Sequence, residues 1–595
     1  MCGIIGVVGG NQVGLDLVEG LKKMEYRGYD SAGIALQEGA TFRLFRELGH
    51  VVNLEKSVEF DGKETIGIGH TRWATHGQVS VRNTHPHLSY DGAFAIVHNG
   101  VIENYKELRQ ELMDYGVPFA SETDTEVIVN LIAFFYHQHP ESLQATLLRA
   151  QHKLQGIYSF VLMAQAEPNV LYALRNRAPL LIGHKPGAYY VASDMLAMAQ
   201  HTKQFYFLDD GEMARLTFDH CEIYRPDGTL VHKQPLTIDI PSSDVDKGPY
   251  EHYMLKEIHE QPFVLRRILS KYADDGVLKL DPIIIQALLE ADSIQIIACG
   301  TSYHAGLVGK LLFEKVARKK TEVHIASEFS YQTPLLSEKP VFLLISQSGE
   351  TADLRLSLDK IKELRRPVFT ITNVMGSTLA READAALLLY AGPEIAVAST
   401  KAYTAQISVL ALLAQSLSTE GNLVHELTKI GFYMEEVLAL ETPIKALVER
   451  LLDHAHNAFY LGRGIDYALS LEAALKLKEI SYLQAEGFPS GELKHGPIAL
   501  IEKDTPVFGI ITQLSTALAT RANLEEVRAR GARTATIVLS SFKKPDDDLV
   551  LPDCHPLLTP MLTAIVVQYI AYYAAILKGT NVDKPRNLAK SVTVE

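Results

Sequence analysis

Cys2 follows only the initiator methionine, in Met1-Cys2-Gly3-Ile4-Ile5-Gly6. Methionine aminopeptidases remove Met1 when the second side chain is small. A chain beginning at Cys2 carries a thiol and a free α-amine on one residue. An α-amine titrates at about 7.7–8.0, so near neutrality a useful fraction can take the proton of its own thiol, the chemistry of an N-terminal nucleophile. Taken alone, Cys2 fits equally well a buried structural cysteine at the start of a strand. A second set of reactive types is Glu472, Lys476 and Glu479. Their i, i+4, i+7 spacing puts all three on one helix face. Such a face is either a solvated ion-pair ladder or, with a carboxylate beside a lysine, a device for moving a proton.

Around Cys2 the first third of the chain supplies further candidates. His70-Thr71-Arg72-Trp73-Ala74-Thr75-His76-Gly77 holds the only tryptophan, and Thr84-His85-Pro86-His87, Val97-His98-Asn99-Gly100 and Ser121-Glu122-Thr123-Asp124-Thr125-Glu126 follow it. Each has an ordinary reading too. Asn99-Gly100 is a strong hairpin-turn dipeptide, and Arg72 could be half of a surface ion pair. The histidines between His70 and His98 have no compact ligand spacing and no accompanying cysteine pair, so no metal site is expected.

In order, with Cys2 and with Glu25-Tyr26-Arg27-Gly28-Tyr29-Asp30-Ser31-Ala32-Gly33, these segments resemble class II glutamine amidotransferase domains over about the first 235 residues. The resemblance implies that Arg72 holds the glutamine α-carboxylate through its fork of donors. It implies that Asp124 pairs with the α-ammonium, and that Trp73, Thr75 and His76 line the pocket. Asn99 and the Gly100 amide form the oxyanion hole in that family.

Composition bounds the rest. At 595 residues the chain is too long for one core, and two to four domains are expected. Net charge is 57 − 71 = −14, which argues against nucleic acid and anionic membrane surfaces as partners. The four cysteines, Cys2, Cys221, Cys299 and Cys554, form no CxxC and suit a reducing, cytoplasmic setting. No charged n-region precedes an apolar stretch at the start. Met561–Leu577 is the most apolar segment, but Gln568 and three tyrosines interrupt it, and a buried α/β helix is expected there.

Periodicity predicts strands at Thr65–Gly69 and Phe94–His98 and amphipathic helices at Asn104–Tyr115 and Asp124–His137. A polar, proline-punctuated run around Gln234–Pro249 reads as a linker. Beyond it, short fully apolar strands run into helices, the texture of a parallel sheet covered on both faces. Ile294–Ala298 leads into Cys299-Gly300-Thr301-Ser302, and Val341–Ile345 into Ser346-Gln347-Ser348-Gly349-Glu350-Thr351. Two loops of hydroxyls and glycine at strand carboxyl ends suit a phosphate, although either alone could be helix capping. Ala458–Leu461 and Val507–Ile511 repeat the pattern at an offset of roughly 165 residues, the sign of a duplicated domain.

These loops, with Val397-Ala398-Ser399-Thr400-Lys401-Ala402, look like sugar isomerase (SIS) domains. Glu472–Ile480, Gly491-Glu492-Leu493-Lys494-His495-Gly496-Pro497 and the terminal Pro585–Glu595 extend the match. The whole chain then resembles the family of isomerising glutamine–fructose-6-phosphate aminotransferases. It lacks the long glutaminase insertion of eukaryotic members, so it looks bacterial in type. The implied fold is α/β and α+β multidomain: an N-terminal-nucleophile four-layer sandwich, then two doubly wound SIS domains with parallel sheets. The expected boundaries are 1–235, a linker at 236–250, SIS domains at 251–445 and 446–580, and an active-site tail at 581–595.

The family implies the substrates L-glutamine and D-fructose 6-phosphate, the products L-glutamate and D-glucosamine 6-phosphate, and the first step of amino-sugar (UDP-GlcNAc) synthesis. Thr301, Ser302, Ser346, Gln347, Ser348, Thr351, Val397 and Ser399 would hold the sugar phosphate. Glu479 would carry the proton with Lys476 as its partner, and Lys590 would form a Schiff base with the open-chain ketose. His495, supplied by a neighbouring subunit, would open the ring, which implies a homodimer. Trp73 would gate an internal ammonia channel, and no cofactor or metal is required. Two alternatives stand beside this: a related amidotransferase acting on another keto-sugar phosphate, and a sugar-phosphate-sensing SIS binding protein.

Overall fold

The computed structural model describes residues 2–60, 62, 64–73, 76–138, 142–238, 246–274 and 276–593. Two compact units result, Met1–Asp246 with Ser591–Glu595, and Lys247–Lys590. Of the expected linker, 239–245 lie outside the described residues.

The first unit stacks two antiparallel sheets between helical layers. The eight-stranded sheet has Gly3–Gly9 near its centre, between Ala188–Ala192 and Ile66–Arg72. The seven-stranded sheet centres on Phe94–Ile102, Gly156–Ala164 and Glu167–Asn176. Period-two alternation sorts the side chains. Ile4, Val8, Ile68, Val97 and Val161 meet between the sheets. Ile5 and Val7 turn outward onto the helix Val13–Met24, while Phe94 and Ile96 turn onto Asp124–Gln138. Strands buried on both faces explain why the sequence shows apolar runs rather than clean alternation.

Asn99-Gly100, by type a turn, lies inside the nine-residue strand Phe94–Ile102, paired with Ser159 and Tyr158. Gly100 has φ +116°, and a Cβ there would meet the Ile157 carbonyl oxygen at 2.0 Å. The glycine serves a close strand approach and a backbone angle that other residues avoid.

The second unit contains two parallel five-stranded sheets of identical topology. The first runs Lys320–Ile325, Ser293–Ala298, Pro340–Ser346, Val368–Thr372, Ala385–Leu388. The second runs Gln484–Pro489, Asn457–Gly462, Pro506–Ile511, Arg533–Leu539, Leu549–Leu551. Both orders are 2-1-3-4-5, so each domain is doubly wound, as the repeat predicts. In this order ligands bind where the first and third strands end, the place of the Cys299–Ser302 and Ser346–Thr351 loops. One core joins helices of both domains, including Lys401–Ser416 and Thr559–Leu577. The latter is long and apolar enough to cross a membrane, yet its most apolar stretch is 83% buried within the protein. It packs on Ile465–Ser481, the helix carrying Glu472, Lys476 and Glu479.

That helix is held tightly against its neighbouring strand. Gly487 sits under Ser470, whose carbonyl oxygen would lie 2.4 Å from an added Cβ. Gly487→Ala should therefore force helix and strand apart and cost about 1–3 kcal/mol. Chemical denaturation of the variant checks this, and an unchanged midpoint would show that the packing gives way freely.

Candidate active sites

Cys2 stands at the mouth of the strand Gly3–Gly9, half-buried between two sheet elements. Its Sγ accepts from the Trp73 N–H at 3.2 Å, and its carbonyl accepts from Asn99 Nδ2 at 3.0 Å. The Gly3 N–H donates to Thr71 Oγ1 at 3.1 Å, and the Ile4 N–H to Ser193 Oγ at 3.0 Å. Gly3 is required for this approach, since a Cβ would stand 2.7 Å from Thr71 Oγ1. Burial pushes the Cys2 thiol up, and the Trp73 N–H and Arg72 draw it part of the way back. A nucleophile in this setting needs a base beside it.

One cleft is lined by Cys2, Arg72, Trp73, His76, Gly100 and Asp124 together. Six expected residues therefore converge, with Asn99 bonded to Cys2 at the edge. Thr75 lies outside the described residues. Arg72 is buried, and its guanidinium donates to the carbonyls of His76, Gly77 and Gln78. Asp124 opens the helix Asp124–Gln138 and accepts from the Ile102 N–H at 3.0 Å. A capping arrangement fixes that start: Thr123 Oγ1 accepts from the Glu126 N–H, and Glu126 reaches back to the Ala120 and Ser121 N–H groups.

His85 and His98 line the cleft and His70 and His87 lie buried beside them, His85 stacking on His70 and meeting His87 edge-on. The rings of His70 and His85 are 4.1 Å apart, and those of His85 and His87 are 4.9 Å apart. Burial lowers the pKa of His70, His85, His87 and His98, so all four are neutral at pH 7. Hydroxyls of Thr123 and Thr125 meet three of them. Among the described residues, no group of three or more His, Cys, Asp or Glu is placed to hold a metal ion.

In the second unit the helix face of Glu472, Lys476 and Glu479 is not a solvated ladder. Glu472 is 0% and Lys476 1% exposed. Lys476 Nζ lies 2.5 Å from Glu479 Oε2 and 3.7 Å from Glu472 Oε1. Burial opposes the Lys476 charge, but Glu479 and Glu472 more than restore it. Glu472 also accepts from Thr301 Oγ1 at 3.1 Å, and its other oxygen lies 2.7 Å from His304 Nδ1. This joins the first turns of the helix Gly300–Lys315, which follows the strand Ser293–Ala298, to the helix of the second domain. Ser302 accepts from Gln406 Nε2 at 2.9 Å.

The Ser346–Thr351 loop folds on itself. Ser346 Oγ lies 3.0 Å from Thr351 Oγ1 and accepts from the Gly349 N–H at 3.0 Å. The Gln347 carbonyl accepts from Asn373 N–H at 3.0 Å, and Ser348 Oγ accepts from the Glu350 N–H at 3.2 Å. Neither Cys299 nor Thr351 caps its following helix with a side chain. At the first helix the Ser302 and Tyr303 N–H groups turn back to the Cys299 carbonyl, at 3.1 and 3.3 Å.

Lys590 lies in a segment without regular structure, with its side chain almost fully buried. Its Nζ donates to Glu394 Oε2 and, at 3.3 Å, to Ser399 Oγ. Val397 N–H donates to the Asp583 carbonyl at 3.0 Å, tying the same region to the terminal segment. His495 is exposed on the short turn Glu492–His495, and no described hydrogen bond joins it to the Glu472 cluster.

The sequence motifs do not point to Glu394, Glu257 or His304. Glu394 Oε1 accepts from the Thr400 and Ala402 N–H groups at 2.9 and 3.0 Å, capping the helix Lys401–Ser416. Burial works against its charge, but Lys590 and these donors hold the carboxyl low. Glu257 Oε1 accepts from the Ile395 and Ala396 N–H groups, while Oε2 is buried and unpartnered. Burial and the Glu394 charge push Glu257 up to about 8. Glu394 shortly precedes the helix Lys401–Ser416, a signal that surface acids share, while Glu257 and His304 lie inside helices where nothing in the sequence marks them.

The raised Glu257 pKa makes a signed prediction. The protonated form is favoured by folding, so its stabilising contribution is present at pH 4 and is lost as pH rises toward 8. Glu257→Gln keeps an acceptor for both amides without the titration. Its melting temperature should gain a few degrees on the parent between pH 5 and pH 8. Parallel pH–melting curves would contradict the assignment.

Residues 287–416 and 451–578 match the SIS domain, and residues 70–200 match a glutamine amidotransferase domain. The chain is 50% identical to the isomerising glutamine–fructose-6-phosphate aminotransferase of Geobacillus kaustophilus, covering 100% of both sequences. Proteins of the same name from Listeria innocua and Staphylococcus aureus are also 50% identical, again over 100% of both sequences. The C-terminal domain of glucosamine-fructose-6-phosphate aminotransferase from Francisella tularensis superposes with a TM-score of 0.52 and 38% identity, over 57% of this chain and 100% of that one. With Cys2 and its cleft in one unit and a buried lysine–carboxylate cluster in duplicated parallel domains in the other, the chain belongs to the isomerising glutamine–fructose-6-phosphate aminotransferase family.

Proposed function

We infer that the protein transfers the amide nitrogen of L-glutamine to D-fructose 6-phosphate and isomerises the product to D-glucosamine 6-phosphate, releasing L-glutamate. Identity of 50% over the full length with relatives of that name carries this reading. A sensing role without catalysis is not favoured, because it would leave the buried Lys476 and Lys590 pairs and the Cys2 cleft without a use.

The residue roles are our proposal. With Met1 removed, the Cys2 amine takes the thiol proton, and Sγ attacks the glutamine carboxamide. Asn99 Nδ2 and the Gly100 N–H receive the oxyanion. Arg72 and Asp124 hold the α-carboxylate and α-ammonium, with Trp73, Thr75 and His76 around them. Ammonia leaves, and water releases glutamate from the thioester. Free ammonia is mostly protonated at neutral pH and then not nucleophilic, so an internal passage gated by Trp73 serves the transfer.

Thr301, Ser302, Ser346, Gln347, Ser348 and Thr351 cradle the sugar phosphate. The two helix starts without side-chain caps support this. Val397 and Ser399 border the sugar near Lys590, whose amine forms the Schiff base. Glu479, beside Lys476, moves the proton between C1 and C2. His495 opens the ring of a sugar bound by the partner of a homodimer, a role that its exposure suits. The domain limits 1–235, 251–445, 446–580 and 581–595, a cytoplasmic setting and a place at the head of amino-sugar synthesis complete the proposal.

Purified protein given glutamine and fructose 6-phosphate, without ATP or added metal, should yield glutamate and glucosamine 6-phosphate in equal amounts by mass spectrometry. Glutamate without amino sugar would direct the second half to another acceptor. Cys2→Ala should abolish glutamine use and spare sugar isomerisation, and surviving glutamine turnover would move the nucleophile elsewhere. Glu479→Gln should cut amino-sugar formation by about 10²–10⁴-fold while glutamine hydrolysis continues. Unchanged amino-sugar formation would remove Glu479 from its role.

A further inference from the structure

The contacts of Asn99 leave its carboxamide no freedom to turn over. Nδ2 faces the Cys2 carbonyl at 3.0 Å, a group that can only accept. Oδ1 faces His70 Nε2 at 3.1 Å, and the same Nε2 lies 2.9 Å from the His98 carbonyl. That carbonyl also only accepts, so the His70 proton resides on Nε2 and is shared between the two oxygens. His70 Nδ1 is left as a bare lone pair, buried and without a partner. The ring is 0% exposed and stacks on His85 at 4.1 Å. A second ring proton would be an unsatisfied buried donor on a cation packed against another imidazole. Burial accordingly lowers the His70 pKa to about 3.

We propose that His70 is a positioning residue for the glutaminase half-reaction. Its Nε2–H fixes Asn99 Oδ1, so that Asn99 Nδ2 is presented to the oxyanion that forms beside Cys2. A free carboxamide has two orientations of similar shape, and only one places a donor toward Cys2. The other would put Oδ1 against the developing negative charge. The proposal rests on the assignment of Asn99 to the oxyanion hole. It adds the group that selects the productive orientation before substrate arrives, the preorganisation on which such sites depend.

Glutamate release in the presence of fructose 6-phosphate tests it with four proteins. Asn99→Ala examines the underlying assignment and should lower kcat by about 10²–10³-fold. If it does not, that assignment fails, whatever His70 does. His70→Leu should lower kcat by about 10–100-fold with the KM for glutamine held within about twofold. His70→Gln, whose amide can donate from a similar position, should recover most of the loss. In the Asn99→Ala background, His70→Leu should cost no more than about twofold, since the group through which it acts is gone. An equal cost in both backgrounds, or a full-rate His70→Leu protein, overturns the proposal. Should the variants not fold, nitrogen-15 NMR of the parent protein reads the tautomer directly. A proton on Nε2 supports the proposal, and one on Nδ1 overturns it.

Discussion

The buried contact between Lys590 and Glu394 organises the sugar-handling unit. Removing either charge from water costs several kcal/mol, and the cost is offset only when the partner and further hydrogen bonds are in place. Glu394 meets this condition by doing three things at once. It accepts from Lys590, it caps the helix Lys401–Ser416, and its charge reaches Lys476. Glu257 adjoins it and yields by holding its own proton. A terminal segment with no helix or strand is therefore anchored by electrostatics rather than by a backbone ladder. Loss of one partner would leave the other as an uncompensated buried charge.

The two units treat titratable groups in opposite ways. Behind Cys2, four buried histidines are all neutral and act as fixed N–H donors and lone pairs. None of these four rings is charged at pH 7, which suits a site that must hold a preformed cradle while a thiol reacts. Around Lys476 and Lys590 the reverse holds. Lysine and carboxylate side chains are crowded together there, largely out of solvent. Under the proposed roles, the first chemistry needs rigidity of donors and the second needs protons that move.

Much of this was legible in the residues. The apolar strands running into Gly- and Ser-rich loops announced parallel sheets, because strands covered on both faces must be apolar throughout. The repeat of that pattern announced the duplication, now seen as two sheets of one topology. Cys2, Arg72, Trp73, His76 and Asp124 could be named, and the fold brings them to one cleft. Local type misled where tertiary contact decides. Asn99-Gly100 reads as a turn yet lies in mid-strand, where the sheet needs a glycine for close approach. Glu472, Lys476 and Glu479 read as a surface ladder unless the helix Gly300–Lys315, which meets Glu472 through Thr301 and His304, is known.

Partners were harder to read than principals, for a physical reason. A nucleophile or a proton carrier must be of a particular type, so its identity shows in the chain. A group that orients it needs only a donor or an acceptor in the right place, and many side chains or backbone amides can supply one. Glu394 lies almost two hundred residues from Lys590 and resembles any acid in a loop. His70 could have been taken for one more histidine in a rich segment. Its importance comes from the Nε2 proton shared between the His98 carbonyl and Asn99 Oδ1. That constraint exists only when the strands Ile66–Arg72 and Phe94–Ile102, which belong to different sheets, are stacked face to face, and from that point the orientation of Asn99 follows from hydrogen-bond valence alone.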